Sequence, residues 1–206
     1  MYKRNNQYIE QYLEGANKMK FEINFNDGDN GSSFDGFLSF TSRGTQDGEI
    51  PPASFYVSDN GEKNVLDAFK KDGVVMDIYY MRTGWGLYDG SSTQYKWNHN
   101  LVDWEERPGD EWKKGLQIDC YADKKIYLWR QTGVGIMEAF KKLAGQFGDK
   151  ADGKLPVVKM TKAEVMKFKN GTQTSFPILE VVDWVDRPFA LEAKLGNVLE
   201  NHEAEF

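Results

Sequence analysis

Short runs in which apolar and polar residues alternate, each closed by a cluster of Gly, Asn or Asp, recur along most of this chain. That period of two commits the chain to β-structure. Lys20-Phe21-Glu22-Ile23-Asn24-Phe25 alternates and ends in the turn cluster 27–31, and Phe34 to Phe40 alternates again. A polar loop is expected over 41–54, then a strand at Phe55-Tyr56-Val57, a turn at 58–61 and a strand over Val74–Met81. Leu116–Tyr121 and Lys125–Arg130 flank Ala122-Asp123-Lys124 as a hairpin, and Leu155–Met160 and Phe176–Val182 supply two closing strands.

Helical spacing is confined to a few places. Gly135 to Phe147 repeats Ile136, Met137, Phe140, Leu143, Ala144 and Phe147 on one face. Asn5 to Lys18 sets Tyr8, Ile9, Tyr12 and Leu13 on a short amphipathic stripe, Asn64 to Lys71 has room for one or two turns, and Thr161 to Phe168 fits a strand or a short helix. The fold class expected is therefore mainly β with helical additions, an OB-fold-like antiparallel β-barrel in which the 135–147 helix plugs one end. Residues 1–20 form an N-terminal helical arm, 21–190 the barrel domain, and 191–206 a flexible acidic tail.

Val102-Asp103-Trp104-Glu105-Glu106-Arg107-Pro108 and Val182-Asp183-Trp184-Val185-Asp186-Arg187-Pro188 match at five of seven positions, with nothing around them repeating at the same offset. A shared structural task accounts for the echo: a strand ends, Trp covers the core edge, Arg pairs with an acid, and Pro halts pairing.

Enzyme signatures do not rise above background. One cysteine, Cys120, and two histidines, His99 and His202, give no zinc spacing and no disulfide, which suits a reducing compartment. The acidic turn at 27–31 lacks the later glutamate of a calcium loop, and Gly133-Val134-Gly135 is only a fragment of a phosphate loop. No catalytic residue, metal or cofactor is expected. With no run of eighteen apolar residues and no signal-peptide core, a cytoplasmic protein without a membrane partner is expected.

Charge and aromatics point elsewhere. The net charge is −6, yet residues 124–170 hold 11 Lys and Arg against 4 Asp and Glu. A basic middle can bind polyanions locally on an acidic protein. Trp, Tyr and Phe make up 14% of the chain, enough to fill a β-rich core, line a binding face, or both. In Lys124-Lys125-Ile126-Tyr127-Leu128-Trp129-Arg130, strand alternation puts Lys125, Tyr127 and Trp129 on one face. Bases stack on such rings while cations track phosphates. Trp85, Trp97, Tyr127 and Trp129 are the candidate stacking rings, and Lys124, Lys125, Arg130, Lys141 and Lys142 the candidate phosphate contacts. The competing reading makes Tyr127 and Trp129 core residues.

The chain resembles bacteriophage T7-like single-stranded-DNA-binding proteins with an OB-fold. The resemblance is carried by the short-strand series, Gly84-Trp85 followed by Trp97, Lys114-Gly115 leading into a strand, Leu155-Pro156-Val157-Val158, and Pro177 before the Val182-Asp183-Trp184 to Arg187-Pro188 closure. It is completed by a tail that carries Glu200, Glu203 and Glu205 and ends at Phe206. It implies a non-catalytic, sequence-tolerant single-stranded-DNA-binding protein of phage replication and recombination in the host cytoplasm, of a kind that is often a homodimer, whose tail contacts polymerase or helicase. The tail holds fewer acids than the family's usually do, which implies weaker competition between tail and DNA. Two other classes compete: a virion or assembly protein whose aromatics are core, and a carbohydrate-binding β-sandwich.

Overall fold

The structure, a computed structural model, describes residues 34–90, 92–101, 103–148, 153–192 and 194. The expected N-terminal helix, the strand at 20–25, the turn at 27–31 and the tail residues Glu200, Glu203, Glu205 and Phe206 lie outside the described residues.

The chain is mainly β with few helices, and its sheet curls strongly into a half-barrel compatible with an OB-like barrel. The strands are β1 (Phe37–Thr41), β2 (Ser54–Asp59), β3 (Glu62–Val65), β4 (Val74–Met76), β5 (Arg82–Tyr88) and β6 (Thr93–Trp97). After them come β7 (Lys113–Ala122), β8 (Lys125–Thr132), helix α1 (Val134–Ala144), β9 (Leu155–Lys167) and β10 (Gln173–Val185). Neighbours run β10-β9-β4-β7-β8-β1-β2-β3, with β5 also on β7 and β6 on β5. The pairing is antiparallel except between β1 and β8, where Phe37 and Leu38 run parallel to Leu128 and Trp129.

The alternation predicted from sequence decides which side is buried. Leu116, Ile118, Cys120 and Ala122 of β7 share a face with Tyr127 and Trp129 of β8 and with Leu38 and Phe40 of β1, all in the main core. Ile136, Phe140 and Leu143 of α1 pack into the same core, as the helical spacing requires. Trp129 is 0% exposed. Its ring meets Phe55 edge-on at 5.3 Å, and Phe55 in turn stacks on Phe69 at 3.8 Å. The buried indole N–H donates to Gln131 Oε1 at 3.0 Å. The same oxygen accepts from the Phe40 amide, and Gln131 Nε2 donates back to the Phe40 carbonyl, so one side chain stands in for the next residue pair of the parallel ladder.

The β7–β8 connection is Asp123-Lys124, both at positive φ (+52° and +64°), the two-residue turn that suits the twist of a hairpin. Residues 161–167 continue β9 as strand rather than helix.

One expected strand is cut short. Val74–Met76 is strand, but residues 77–81 leave the ladder, with the Ile78 amide on the Met76 carbonyl and the Tyr80 amide on that of Asp77. A buried carboxylate explains the break. Asp77 is 1% exposed and takes Arg187, with Nη2 at 2.9 Å from Oδ1 and Nη1 on Oδ2. In the second copy of the sequence echo, then, Arg187 does pair an acid, β10 ends at Val185, and Trp184 covers Phe147 beyond α1. In the first copy Arg107 donates instead to the main-chain carbonyls of Trp112 and Asp110. On the face opposite the main core Leu191 packs with Ile126 and Leu155, and Lys194 reaches Asp119 at 2.6 Å. Among the described residues no helix is long and apolar enough to cross a membrane.

Burial pushes the Asp77 carboxyl above its ordinary value, against the opposing pull of Arg187. A raised folded-state value means that the carboxyl's contribution to stability is greatest in acid and falls as pH rises. Arg187→Met, which strands this group, is expected to cost about 3–5 kcal/mol at pH 7, because an uncompensated charge stays buried. The cost relative to the parent chain is expected to shrink at pH 4, where the carboxyl takes up a proton. Urea unfolding of both chains at the two pH values checks this; an equal loss at both would mean that Arg187 acts by packing alone.

Candidate functional site

Of the nine residues the sequence singles out for nucleic-acid contact, the structure brings two together. Trp129 and Tyr127 (6% exposed) lie in the core, so neither offers a ring face to a ligand. Tyr127 and Trp129 share one face of β8, as the alternation predicts, and that face turns inward because Leu38, Phe55 and α1 close over it. Lys124 and Lys125 are exposed at the β7–β8 turn, roughly 20 Å from Arg130 at about 3.3 Å per strand residue. Lys141 and Lys142 are exposed in the last turn of α1, on the core side of the sheet, with Lys142 Nζ 4.7 Å from the Phe176 ring.

Trp85 and Trp97 project from opposite faces of the β5–β6 ladder. Trp97 stands opposite Gly84, and Trp85 opposite Lys96 on one side and Lys114 on the other. Trp85 belongs to the core side, beyond the core's end. There it meets Trp104 edge-on at 5.4 Å, donates its N–H to the Glu105 carbonyl at 3.0 Å, and shares the Lys114 ammonium, which sits 4.0 Å from the Trp104 ring. These contacts tie Trp104 and Glu105 to β5.

Trp97 lies on the outer face, and around it the strands assemble a compact basic-aromatic surface. Facing positions run Trp97–Gly84–Gly115–Thr132 and, one step along, Tyr95–Gly86–Lys113; on the other side the row is Arg82–Gln117–Arg130. Tyr95 and Trp97, two residues apart on β6, stack face to face with centroids 4.9 Å apart and planes 8° from parallel. Arg130 Cζ is 5.2 Å from the Tyr95 centroid. Arg130 Nε donates to Gln117 Oε1 at 2.9 Å, and Gln117 is 6% exposed, so the guanidinium is aimed by a buried amide. Both rings and both arginines are half-buried.

The glycines make this surface flat. A Cβ on Gly84 would fall 2.8 Å from the Trp97 Cα, and one on Gly115 2.8 Å from the Thr132 methyl. The Tyr95 ring lies where a Gly86 side chain would point, its Cε1 3.2 Å from that position. Rings laid over strand glycines recover the packing that the missing side chains forgo.

Electrostatics reinforce the picture. Burial, and then the neighbouring Arg130, press Arg82 toward its neutral form, while Asp119 opposes them. Burial lifts the Tyr95 phenol above its ordinary value and Arg130 pulls the other way, so the ring stays neutral across the physiological range. Among the described residues no three His, Cys, Asp or Glu side chains come together as a metal-binding group, and Cys120 is buried, its thiol pushed up chiefly by desolvation.

Arg82, Tyr95 and Gln117 were not singled out from sequence. A usable signal was present: Gly84 and Gly86 alternate on one strand face, and Tyr95 and Trp97 alternate in the next run, at the spacing of rings over gaps.

Gly84→Ala is expected to destabilise the chain by about 1–3 kcal/mol through overpacking and to pull β6 off β5. Thermal unfolding reads the first effect. The near-ultraviolet circular dichroism of the Tyr95–Trp97 stack reads the second, and an unchanged spectrum would mean that the rings do not depend on the glycine strip.

Compared with family models, with curated proteins and with solved structures, the chain has no match.

Proposed function

We propose that this chain binds single-stranded DNA with little sequence preference, on the outer face of β5, β6, β7 and β8. The observation that carries the reading is the parallel Tyr95–Trp97 stack with the Arg130 guanidinium beside it and Arg82 in the neighbouring row. A flat pair of rings extends naturally into an unpaired base, and every base has a π-face, which makes such binding tolerant of sequence. Arginine beside the stack supplies phosphate contact and, through its own plane, additional stacking. The chain's acidity is no obstacle, since a few well-placed cations govern local binding while the net charge stays negative.

The remaining sequence-derived cations take no part in this reading. Lys124 sits in the β7–β8 turn at the far end of the hairpin, Lys125 shares the side of β8 that carries Tyr127 and Trp129, and Lys141 and Lys142 face that same side of the sheet, so all four lie off the path. The resemblance to phage single-stranded-DNA-binding proteins supports a role in replication or recombination. In that setting the segment from Glu200 through Glu203 and Glu205 to Phe206 would be the contact for a polymerase or helicase. No catalytic step and no cofactor are part of the proposal.

Titration with oligo-dT at low salt is expected to quench tryptophan fluorescence, with affinity falling steeply as salt rises because counterions are released. Duplex DNA is expected to quench little. Trp97→Ala is expected to weaken oligo-dT binding by about 1–3 kcal/mol, and Lys141→Ala with Lys142→Ala to leave it within about twofold, the scale of surface changes away from a contact. Absence of binding at low salt would overturn the reading, and salt-insensitive binding to a neutral polysaccharide would replace it with the carbohydrate class.

A further inference from the structure

The outer face of the β5–β6 ladder carries one more ring than the stack. Gly84 faces Trp97 and Gly86 faces Tyr95, and in unbroken register the next such pair is Tyr88 and Thr93. Strand alternation puts Tyr88 on the same face as Gly84 and Gly86. It therefore stands on the side of the Tyr95–Trp97 stack, one step of about 6–7 Å nearer the hairpin tip than Tyr95. Burial lifts the Tyr95 phenol, and Thr93 is among the groups near enough to draw it back, so the two rows adjoin.

Tyr88 is 66% exposed, whereas Tyr95 and Trp97 are half-buried. Its hydroxyl donates to the Gly90 carbonyl at 2.7 Å, within its own turn. That bond fixes the ring at the tip and leaves most of it in solvent. Asp89 beside it is turned inward: one carboxylate oxygen accepts from the Ser92 amide at 2.8 Å, the other from the Ser92 hydroxyl at 3.2 Å. Packing does not account for a ring held in this way.

A cation lies in the row between. Lys113, at the start of β7, faces Gly86 and is exposed, with only that glycine between it and Tyr95 in the row. Among the described residues no carboxylate pairs with its ammonium. Across the strands, by contrast, the Trp97 row continues through Gly84 and Gly115 to Thr132 without another ring. The rings thus line up along the hairpin and not across the sheet.

We propose that the bound single strand runs lengthwise along the β5–β6 hairpin, with Tyr88 as a third stacking ring beyond the Tyr95–Trp97 pair and Lys113 as a phosphate contact beside them. This inference rests on the single-strand reading and deepens it, because it gives the site a direction. Successive bases stack on the rings, and the backbone passes on the β7 side, where the Lys113 ammonium meets it.

Oligo-dT titration of the full chain across a salt series reads ring and cation separately. Tyr88→Ala is expected to weaken binding about fivefold or more, as the loss of one stacked base does, with the salt slope unchanged. Tyr88→Phe, which keeps the ring and removes the bond to Gly90, is expected to recover most of that loss. Lys113→Ala is expected to lower the salt slope by about one. Tyr88→Trp is expected to add to the tryptophan fluorescence lost at saturation. All four variants are expected to unfold thermally close to the parent chain, since neither side chain reaches the core.

Tyr88→Ala binding within about twofold of the parent, the scale of a surface change away from a contact, would overturn the lengthwise track. So would no added quenching in Tyr88→Trp, or an unchanged salt slope in Lys113→Ala. Weakened binding by Trp97→Ala in the same series would leave the single-strand reading standing. If the parent chain fails to bind oligo-dT at low salt, the reading and the track fall together.

Discussion

One edge of β7 is asked to pair with two strands, and most of the molecule follows from how that demand is met. Val75 and Met76 pair with Tyr121 and Cys120, and Arg82 through Gly86 pair with Gln117 back to Lys113. β4 and β5 are thus two halves of one antiparallel partner, interrupted by residues 77–81. The excursion lets the two halves carry different neighbours, β9 on β4 and β6 on β5, so the sheet forks along a single strand. A continuous strand would leave no place for the Asp77 carboxylate beneath Arg187, and the segment after β10 would lose its anchor. The fork also separates labour. The β4–β9–β10 arm carries the α1 contacts and much of the core, while the β5–β6 arm reaches past the core and is left to carry the candidate site.

The alternating runs made the β class legible, and the helix at Val134–Ala144 falls where Ile136, Phe140 and Leu143 repeat. What the sequence could not supply was which side of a strand faces in. Alternation puts Lys125, Tyr127 and Trp129 on one face, yet that face is the core because Phe55, Phe69 and Leu38 arrive from segments distant in sequence. Trp85 and Trp97 look equivalent as tryptophans flanked by Gly and Lys. A register in which Trp97 opposes Gly84 sends them to opposite sides, and register depends on pairing that single-strand patterns leave open. The break at Asp77 is equally hidden: Val74 to Met81 is β-branched and aromatic almost throughout, and the arginine that meets the one acid within it, Arg187, lies far along the chain.

The charge asymmetry in the sequence needs a similar revision. The basic excess begins at Lys124, but of that segment's described residues Arg130 is the cation that reaches the aromatic surface. Its partner Arg82 comes from a stretch whose balance is acidic. Linear charge counts average over both faces of every strand, whereas a ligand meets one face. The useful unit is the cross-strand row, and here the row joins an arginine from an acidic segment to one from a basic segment through a buried glutamine.

That location has an energetic consequence for how the site works. β6 pairs only with β5 among the described residues, and β5 opposite it contributes Gly84 and Gly86, which offer no side chains to hold it. The adhesion of β6 therefore rests on five residue pairs and on the rings of Tyr95 and Trp97 lying over the glycine strip. Elements with so little buried apolar contact open at lower free energy than the core. Arg82, Gln117 and Arg130, in contrast, sit on β5, β7 and β8, where β7 and β8 are tied down by Leu116, Ile118 and Trp129 on the reverse face. A rigid pair of cations beside a looser pair of rings is a division suited to a ligand with a regular backbone and variable bases. On the single-strand reading proposed above, the charged groups would be held in advance because every phosphate is alike, while the rings would adjust to purines and pyrimidines of different size.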